Sequence, residues 1–347
     1  MSNSRLLSPS PVVGTHHNIP RFVSKARHIS RTIARAFSDD MDEVDPITGD
    51  IITGTSRARV ASSRVTTERW THAYREAEIP DGVEKGPDQV LCLHGIGSSS
   101  YAFRKTINLL AGEGIAARAL DWIGHGTSDH PDSESFSYSV DEYIDELDKV
   151  VRAMGYGPEN PVVLIVHGYV LGQAALLYAS RSTEVVSKVV TLNVPLGLKT
   201  KLRPELAQYK NPIAFLKPKE GAVFKGDLFN AAGGPYALGR GDADAYNEPY
   251  VSSAEASAAI WHTMDQLDWE DLKKRVNDAM MQLKKPVLCI HGNSDTFVDL
   301  ASTLDWLEDK PTSTRMAYGI EAKLGHCPQE DYPEAIHPVI LDFIQTS

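Results

Sequence analysis

Five short polar clusters hold the side chains that could do chemistry. They are His94-Gly95-Ile96-Gly97, the turn from Asp121 to Asp129 with His125, His167-Gly168-Tyr169-Val170-Leu171-Gly172, Gly292-Asn293-Ser294-Asp295, and Gly325-His326-Cys327-Pro328. Imidazoles and carboxylates in company can take, hold and return protons near neutral pH, so this inventory points to acid–base or nucleophilic catalysis. No cluster is diagnostic alone: His-Gly pairs are common, and an Asp after a strand often caps a helix.

What unites the clusters is where they fall. Four follow a short, mostly apolar run: Val90–Leu93, Ala117–Leu120, Val162–Val166 and Val287–Ile290, with a further run at Val189–Leu192 leading into Pro195. Fully apolar strands alternating with helical stretches predict a parallel sheet covered on both faces, and ligands of such sheets bind beyond the carboxyl ends of the strands. The segment from Asn160 to Ser180 has 21 uncharged residues, nominally enough to cross a bilayer. It begins β-rich, breaks at His167-Gly168 and resumes with helix formers, so it reads as strand, turn and buried helix. From Gly197 to Trp269 the rhythm lapses, which suggests an inserted cap, with Trp261 and Trp269 as candidate lining or packing residues. Residues Val65 to Ile79 alternate enough to suggest a strand or hairpin.

The chain has 347 residues and a formal charge of −11, from 46 acidic residues against 35 Lys and Arg. That balance argues against nucleic acid or an anionic membrane as the default partner and favours a small apolar molecule. Three cysteines without a C-x-x-C pair make neither a disulfide framework nor a thiolate zinc site. His16-His17 lacks metal partners at zinc spacing, and no glycine-rich phosphate loop is present, so no metal or cofactor is expected. Ahead of Asp39, the first acid, lie Arg5, Arg21, Lys25, Arg27, Arg31 and Arg35, and Phe22, Ala26, Ile29, Ile33 and Phe37 recur at helical spacing. This is the composition of an organelle-import leader, with cleavage expected between Phe37 and Ser38 and delivery to a chloroplast stroma or a mitochondrion. Losing those six bases would take the charge from −11 to −17.

From about Gln89 to Ile344 the five clusters, in this order, resemble the α/β-hydrolase fold family, in the branch of haloalkane dehalogenases, epoxide hydrolases and hydrolase-like proteins of plant plastids. The resemblance implies an α/β-hydrolase fold, with a mostly parallel central sheet, helices on both faces and an inserted helical cap. Its divisions would be a leader over 1–38, a linker over 39–64, a core over 65–196 and 276–347, and a cap over 197–275. It also implies roles: His94 to Phe103 as oxyanion loop, Asp295 as triad acid and His326 as triad base. The oxyanion hole would come from the Ile96 N–H and the N–H after the nucleophile, Val170, with His94 and Gly95 beside them.

The nucleophile breaks the pattern. Aligned without gaps, its position holds Tyr169, with His167 and Leu171 where small residues belong. Shifted by one, Gly168 and Gly172 flank Val170 instead. Neither register supplies Ser, Cys or Asp. A phenol titrates near 10 and reaches further than a serine hydroxyl, so Tyr169 is expected to fill or gate a pocket and donate a hydrogen bond. Halide chemistry lacks its Asn and Trp, whose positions hold Ile96 and Val170, and Cys327 is read as incidental. Two functions stay open: a hydrolase of a small apolar substrate using the Asp295–His326 pair, or a non-catalytic ligand-binding or assembly protein. The oligomeric state is left undetermined.

Overall fold

The computed structural model describes residues 59–232 and 238–346, together with the backbone of a two-residue antiparallel pair, Glu43–Val44 with Ile51–Ile52. The expected leader and its processing site lie outside the described residues. Among the described residues no helix is long and apolar enough to cross a membrane.

Each apolar run becomes a strand. Strands β3 (Gln89–Leu93), β4 (Ala116–Leu120), β5 (Val162–His167), β6 (Val186–Leu192) and β7 (Val287–Ile290) pair in parallel. The hairpin β1 (Val60–Thr66) and β2 (Thr71–Ala77) adds an antiparallel edge through β4, and β8 (Thr314–Ala317) closes the other edge in parallel. The order across the eight-stranded sheet is β8-β7-β6-β5-β3-β4-β2-β1. Every residue of β5 is buried, as a central strand covered on both faces requires. Strand β8 escaped the sequence reading because Thr-Arg-Met-Ala has no apolar run; an edge strand needs none.

Helices sort to the two faces. On one lie α2 (Val140–Ala153), α3 (Leu171–Arg181) and α8 (Trp269–Gln282), and on the other α1 (Arg104–Gly112) and α11 (Pro333–Gln345). Helix α2 shows the local logic. Ser139 caps it by accepting from the Glu142 N–H, Asp141 and Glu142 sit at the positive end of its dipole and Arg152 at the negative end. Its buried Tyr143, Ile144, Leu147, Val150 and Val151 recur at helical spacing. The inserted segment forms α4 (Pro204–Ala207), α5 (Gly226–Ala231), α6 (Arg240–Val251) and α7 (Ala254–Gln266) over the strand ends. After β7 come α9 (Leu300–Leu307) and α10 (Pro328–Asp331).

Two expected boundaries need correction. The linker expected over 39–64 runs into β1, which starts at Val60 because Val60 and Ala77 are buried and paired at the end of the hairpin. The cap expected to end at 275 stops before α8: that helix packs on α3, with Leu272, Val276 and Met280 buried, and so belongs to the core.

Candidate active site

The loops that follow β7 and β8 bring Asp295 and His326 together. The side chains of Asp295, in the loop after β7, and His326, in the loop after β8, have no exposure, and Nδ1 of His326 lies 2.9 Å from Oδ2 of Asp295. The other carboxylate oxygen accepts the N–H groups of Phe297 at 2.8 Å and Val298 at 3.2 Å. Burial alone would raise the Asp295 acid, but the imidazole and these two amides outweigh it and hold it below the usual carboxylate range. With Nδ1 donating to Asp295, the neutral ring presents Nε2 as the lone-pair nitrogen. Nε2 is buried and has no hydrogen-bond partner.

A glycine keeps the two loops in register. A Cβ on Gly292 would collide with the carbonyl oxygens of Gly325 and Leu324, so only glycine lets the acid loop cross directly beneath the base loop. Asn193 ties both, donating to the Gly325 carbonyl at 2.5 Å and accepting from the Gly292 N–H at 2.9 Å. His167 was read only as a misfit in a small-residue position. Its Nε2 donates to the His326 carbonyl at 2.9 Å, and burial pushes its imidazole down to about 3, so it positions the base loop as a neutral donor. Nothing in its local sequence announced a role that depends on a partner 159 residues away.

The turn after β5 resolves the choice of register. Val170, with φ 63° and ψ −69°, is the left-handed residue at the head of α3, and Gly168 and Gly172 flank it. The Leu171 N–H donates to the Tyr169 carbonyl at 2.8 Å, closing a strained three-residue γ-turn on a β-branched side chain. Gly172 is required because a Cβ there would lie 2.5 Å from the His167 carbonyl oxygen. The centre of the turn is therefore Val170, a correction to the placement on Tyr169.

Tyr169 is fully buried, and its ring stacks on Trp269 at 5.8 Å and lies 5.6 Å from the His326 ring. Its hydroxyl faces two carbonyl oxygens, those of Lys201 and Phe297, each at 3.2 Å. Burial, then the Asp295 charge, raises the phenol well above 10. A phenol so held acts as a plug. Trp269 donates its indole N–H to the Thr200 carbonyl and walls this plug, whereas Trp261 donates to Pro218 within the cap.

The expected oxyanion donors are occupied, and this corrects the reading of that hole. The Ile96 N–H donates to the Tyr169 carbonyl at 3.0 Å, and the Val170 N–H donates to the Gln173 side chain at 3.0 Å. His94 spends both ring nitrogens locally, Nδ1 on the Gly95 carbonyl and Nε2 on the Trp122 N–H, and burial pushes it down to about 4. Gly95 packs against the Gly168–Tyr169 backbone, where a Cβ would stand at 3.0 Å. The Tyr169 carbonyl takes the N–H groups of both Ile96, at 3.0 Å, and Leu171, at 2.8 Å, while Gln173 takes that of Val170. Cys327 faces away, donating to the Asn230 carbonyl at 3.2 Å, and burial pushes its thiol far up. Among the described residues no cluster of His, Cys, Asp and Glu could hold a metal ion.

A family model described as "Alpha/beta hydrolase family" matches residues 90–339. The chain belongs to the alpha/beta hydrolase family. Among curated relatives of this hydrolase-family chain, the uncharacterized hydrolase YugF of Bacillus subtilis is 28% identical over 266 residues, covering 75% of this chain and 91% of that one. The cis-3-alkyl-4-alkyloxetan-2-one decarboxylase of Shewanella oneidensis is 30% identical over 106 residues, 30% of this chain and 32% of that one. Among solved structures, haloalkane dehalogenase DbeA of Bradyrhizobium elkanii has a TM-score of 0.65 at 21% identity, covering 82% of this chain and 97% of its own. The dehalogenase DatA of Agrobacterium tumefaciens C58 has a TM-score of 0.64 at 19% identity, covering 82% and 96%. Those two likenesses establish the alpha/beta hydrolase fold.

Proposed function

We propose that this alpha/beta hydrolase acts on a small, mostly apolar molecule through His326 as general base on water, with Asp295 orienting it and without a covalent step from the turn after β5. The observation that carries the reading is the Nε2 atom of His326: its ring is fixed by a carboxylate, yet that nitrogen is buried and unpartnered. A buried polar atom left without a partner calls for a reason, and a water or substrate hydroxyl supplies one. In the step envisaged, water gives a proton to Nε2 as its oxygen bonds to the electrophilic carbon, the bond from that carbon to the departing oxygen breaks, and the imidazolium, stabilised by Asp295, returns the proton to that oxygen. The rings of Tyr169 and Phe297 beside the base, with Trp269 stacked on Tyr169, favour an apolar substrate. The Shewanella relative, named for a substrate with two alkyl groups, is in keeping with that class.

The test is a panel of esters, epoxides and haloalkanes run on the wild type and on His326→Ala. We expect turnover of at least one substrate, reduced about 10²–10⁴-fold by the substitution. Turnover indifferent to it would sink the reading. A second reading, a non-catalytic ligand-binding or assembly protein, is favoured by the Tyr169 carbonyl standing on the Ile96 and Leu171 amides. It predicts no turnover across the whole panel together with tight retention of an apolar ligand or a stable complex.

A further inference from the structure

Arg203, at the head of α4 in the cap, lies against Phe297 and takes no part in the proposed step. Its side chain has no exposure. Nε donates to Glu205 at 3.0 Å and Nη2 to the Phe229 carbonyl at 2.6 Å, while Nη1 is buried with no partner. The guanidinium carbon lies over two phenyl rings, 3.6 Å from the centre of Phe229 and 4.2 Å from that of Phe297. Phe297 is also the ring that stands 5.4 Å from His326. So two buried nitrogens without partners, a donor on Arg203 and an acceptor on His326, flank one aromatic side chain.

Two rings lie against the guanidinium and its Nε and Nη2 already donate, so a further ligand meets it through the N–H groups of Nη1. In-plane approach is how a carboxylate is recognised. Leaving a cationic donor dry and unmatched costs more than leaving a neutral one, and packing alone gives no reason to bury it. Glu205 does not remove the demand: it occupies the Nε edge, and its own side chain is 23% exposed and thus partly shielded by water. The Arg203 charge also reaches the site. Burial drives the acids of Tyr169 and Cys327 up, and Arg203 opposes it at both.

We infer that Arg203 forms a carboxylate subsite beside the base, so that the substrate is an apolar molecule bearing an acid group, bound with its oxygens on Nη1 and its apolar part against the Phe297 and Tyr169 rings. The inference deepens the hydrolase reading and takes from it the location of the reacting end. It also supplies a polar anchor where the backbone oxyanion donors are closed.

The experiment compares octanoate with octanol, binding to full-length protein being measured by calorimetry and by thermal shift. Wild type should bind octanoate at least tenfold more tightly than octanol. Arg203→Gln should reduce octanoate to the octanol level, and Arg203→Lys, which keeps the charge and loses the planar fork, should fall between. Equal affinity for the two probes, absence of octanoate binding, or octanoate binding unchanged in folded Arg203→Gln would each overturn the inference; the first two need no variant. His326→Ala should keep the preference for octanoate, so failure of the base and failure of the subsite give different results.

Discussion

The backbone N–H of Ile96 donates to the carbonyl oxygen of Tyr169 at 3.0 Å, and the Leu171 N–H donates to the same oxygen at 2.8 Å. Two amides that flank the turn after β5 are thus turned onto the protein's own peptide group. Pre-aimed amide donors are what an acyl-transfer site uses to stabilise developing negative charge. Here they are spent, and Val170 provides no attacking atom. A fluorophosphonate probe for serine hydrolases should therefore leave the wild type unlabelled, as read by mass spectrometry of the intact chain. Labelling would mean a nucleophile elsewhere in reach of His326.

The strain at Val170 is testable without touching chemistry. Replacing Val170 with Ala or with Gly removes nearly the same packing, but only Gly is at ease at φ 63°. Elsewhere glycine is about 0.5–1 kcal/mol worse than alanine. Here the order should invert, with Val170→Gly more stable than Val170→Ala by about 1 kcal/mol. Urea denaturation of the pair measures this, and the ordinary order would argue against a strained turn.

Tyr169→Phe separates a plug from a nucleophile. It keeps the ring on Trp269 and loses the hydroxyl that faces the Lys201 and Phe297 carbonyls. The expected cost is about 1 kcal/mol of stability, with any His326-dependent turnover retained. Abolished turnover in a folded Tyr169→Phe protein would restore the phenol to the chemistry.

Gly292→Ala should uncouple acid from base. The added methyl meets the backbone of Leu324 and Gly325, which cannot rotate aside as a side chain could. We expect a loss of about 2–3 kcal/mol in stability. In the histidine NMR spectrum, the low-field Nδ1 proton of His326 should weaken or vanish. An unchanged resonance would show that the loops part without disturbing the pair.

Two sets of groups give stability opposite dependences on pH. Burial pushes His94 down to about 4 and His125 and His167 to about 3, from an ordinary 6.5. Their contribution is complete above 6.5 and is lost as pH falls towards 4 and then 3, because the unfolded chain takes up protons the folded one refuses. Unfolding near pH 5 should consume protons on their account, measurable by calorimetry in buffers of different ionisation heat. Asp331 runs the other way. Burial, with Glu330 adjacent, raises it to about 6 although its carboxylate accepts the Gly325 N–H at 2.7 Å. What it contributes is complete below 3.8 and is lost as pH climbs through about 6. The advantage of Asp331→Asn in Tm should therefore grow between pH 5 and pH 8, and a constant difference would reject the shift.

The amino-acid sequence by itself determined the layered sheet, because unbroken apolar runs such as Val162–Val166 can exist only where both faces are covered. It also marked Asp295, just past the Val287–Ile290 run, where a parallel sheet gathers its loops, and His326 through the order of the five clusters. It could not choose between Tyr169 and Val170 as the centre of the turn: that choice is a backbone dihedral angle, set where Gly168 packs against Gly95 and Gly172 against the His167 carbonyl. Nor could it show where the amides of Ile96 and Leu171 point, or that His167 reaches the His326 carbonyl from 159 residues away and Arg203 packs on the Phe297 ring beside it. Hydrogen-bond direction and burial depend on groups distant along the chain, and only the folded arrangement brings them within reach.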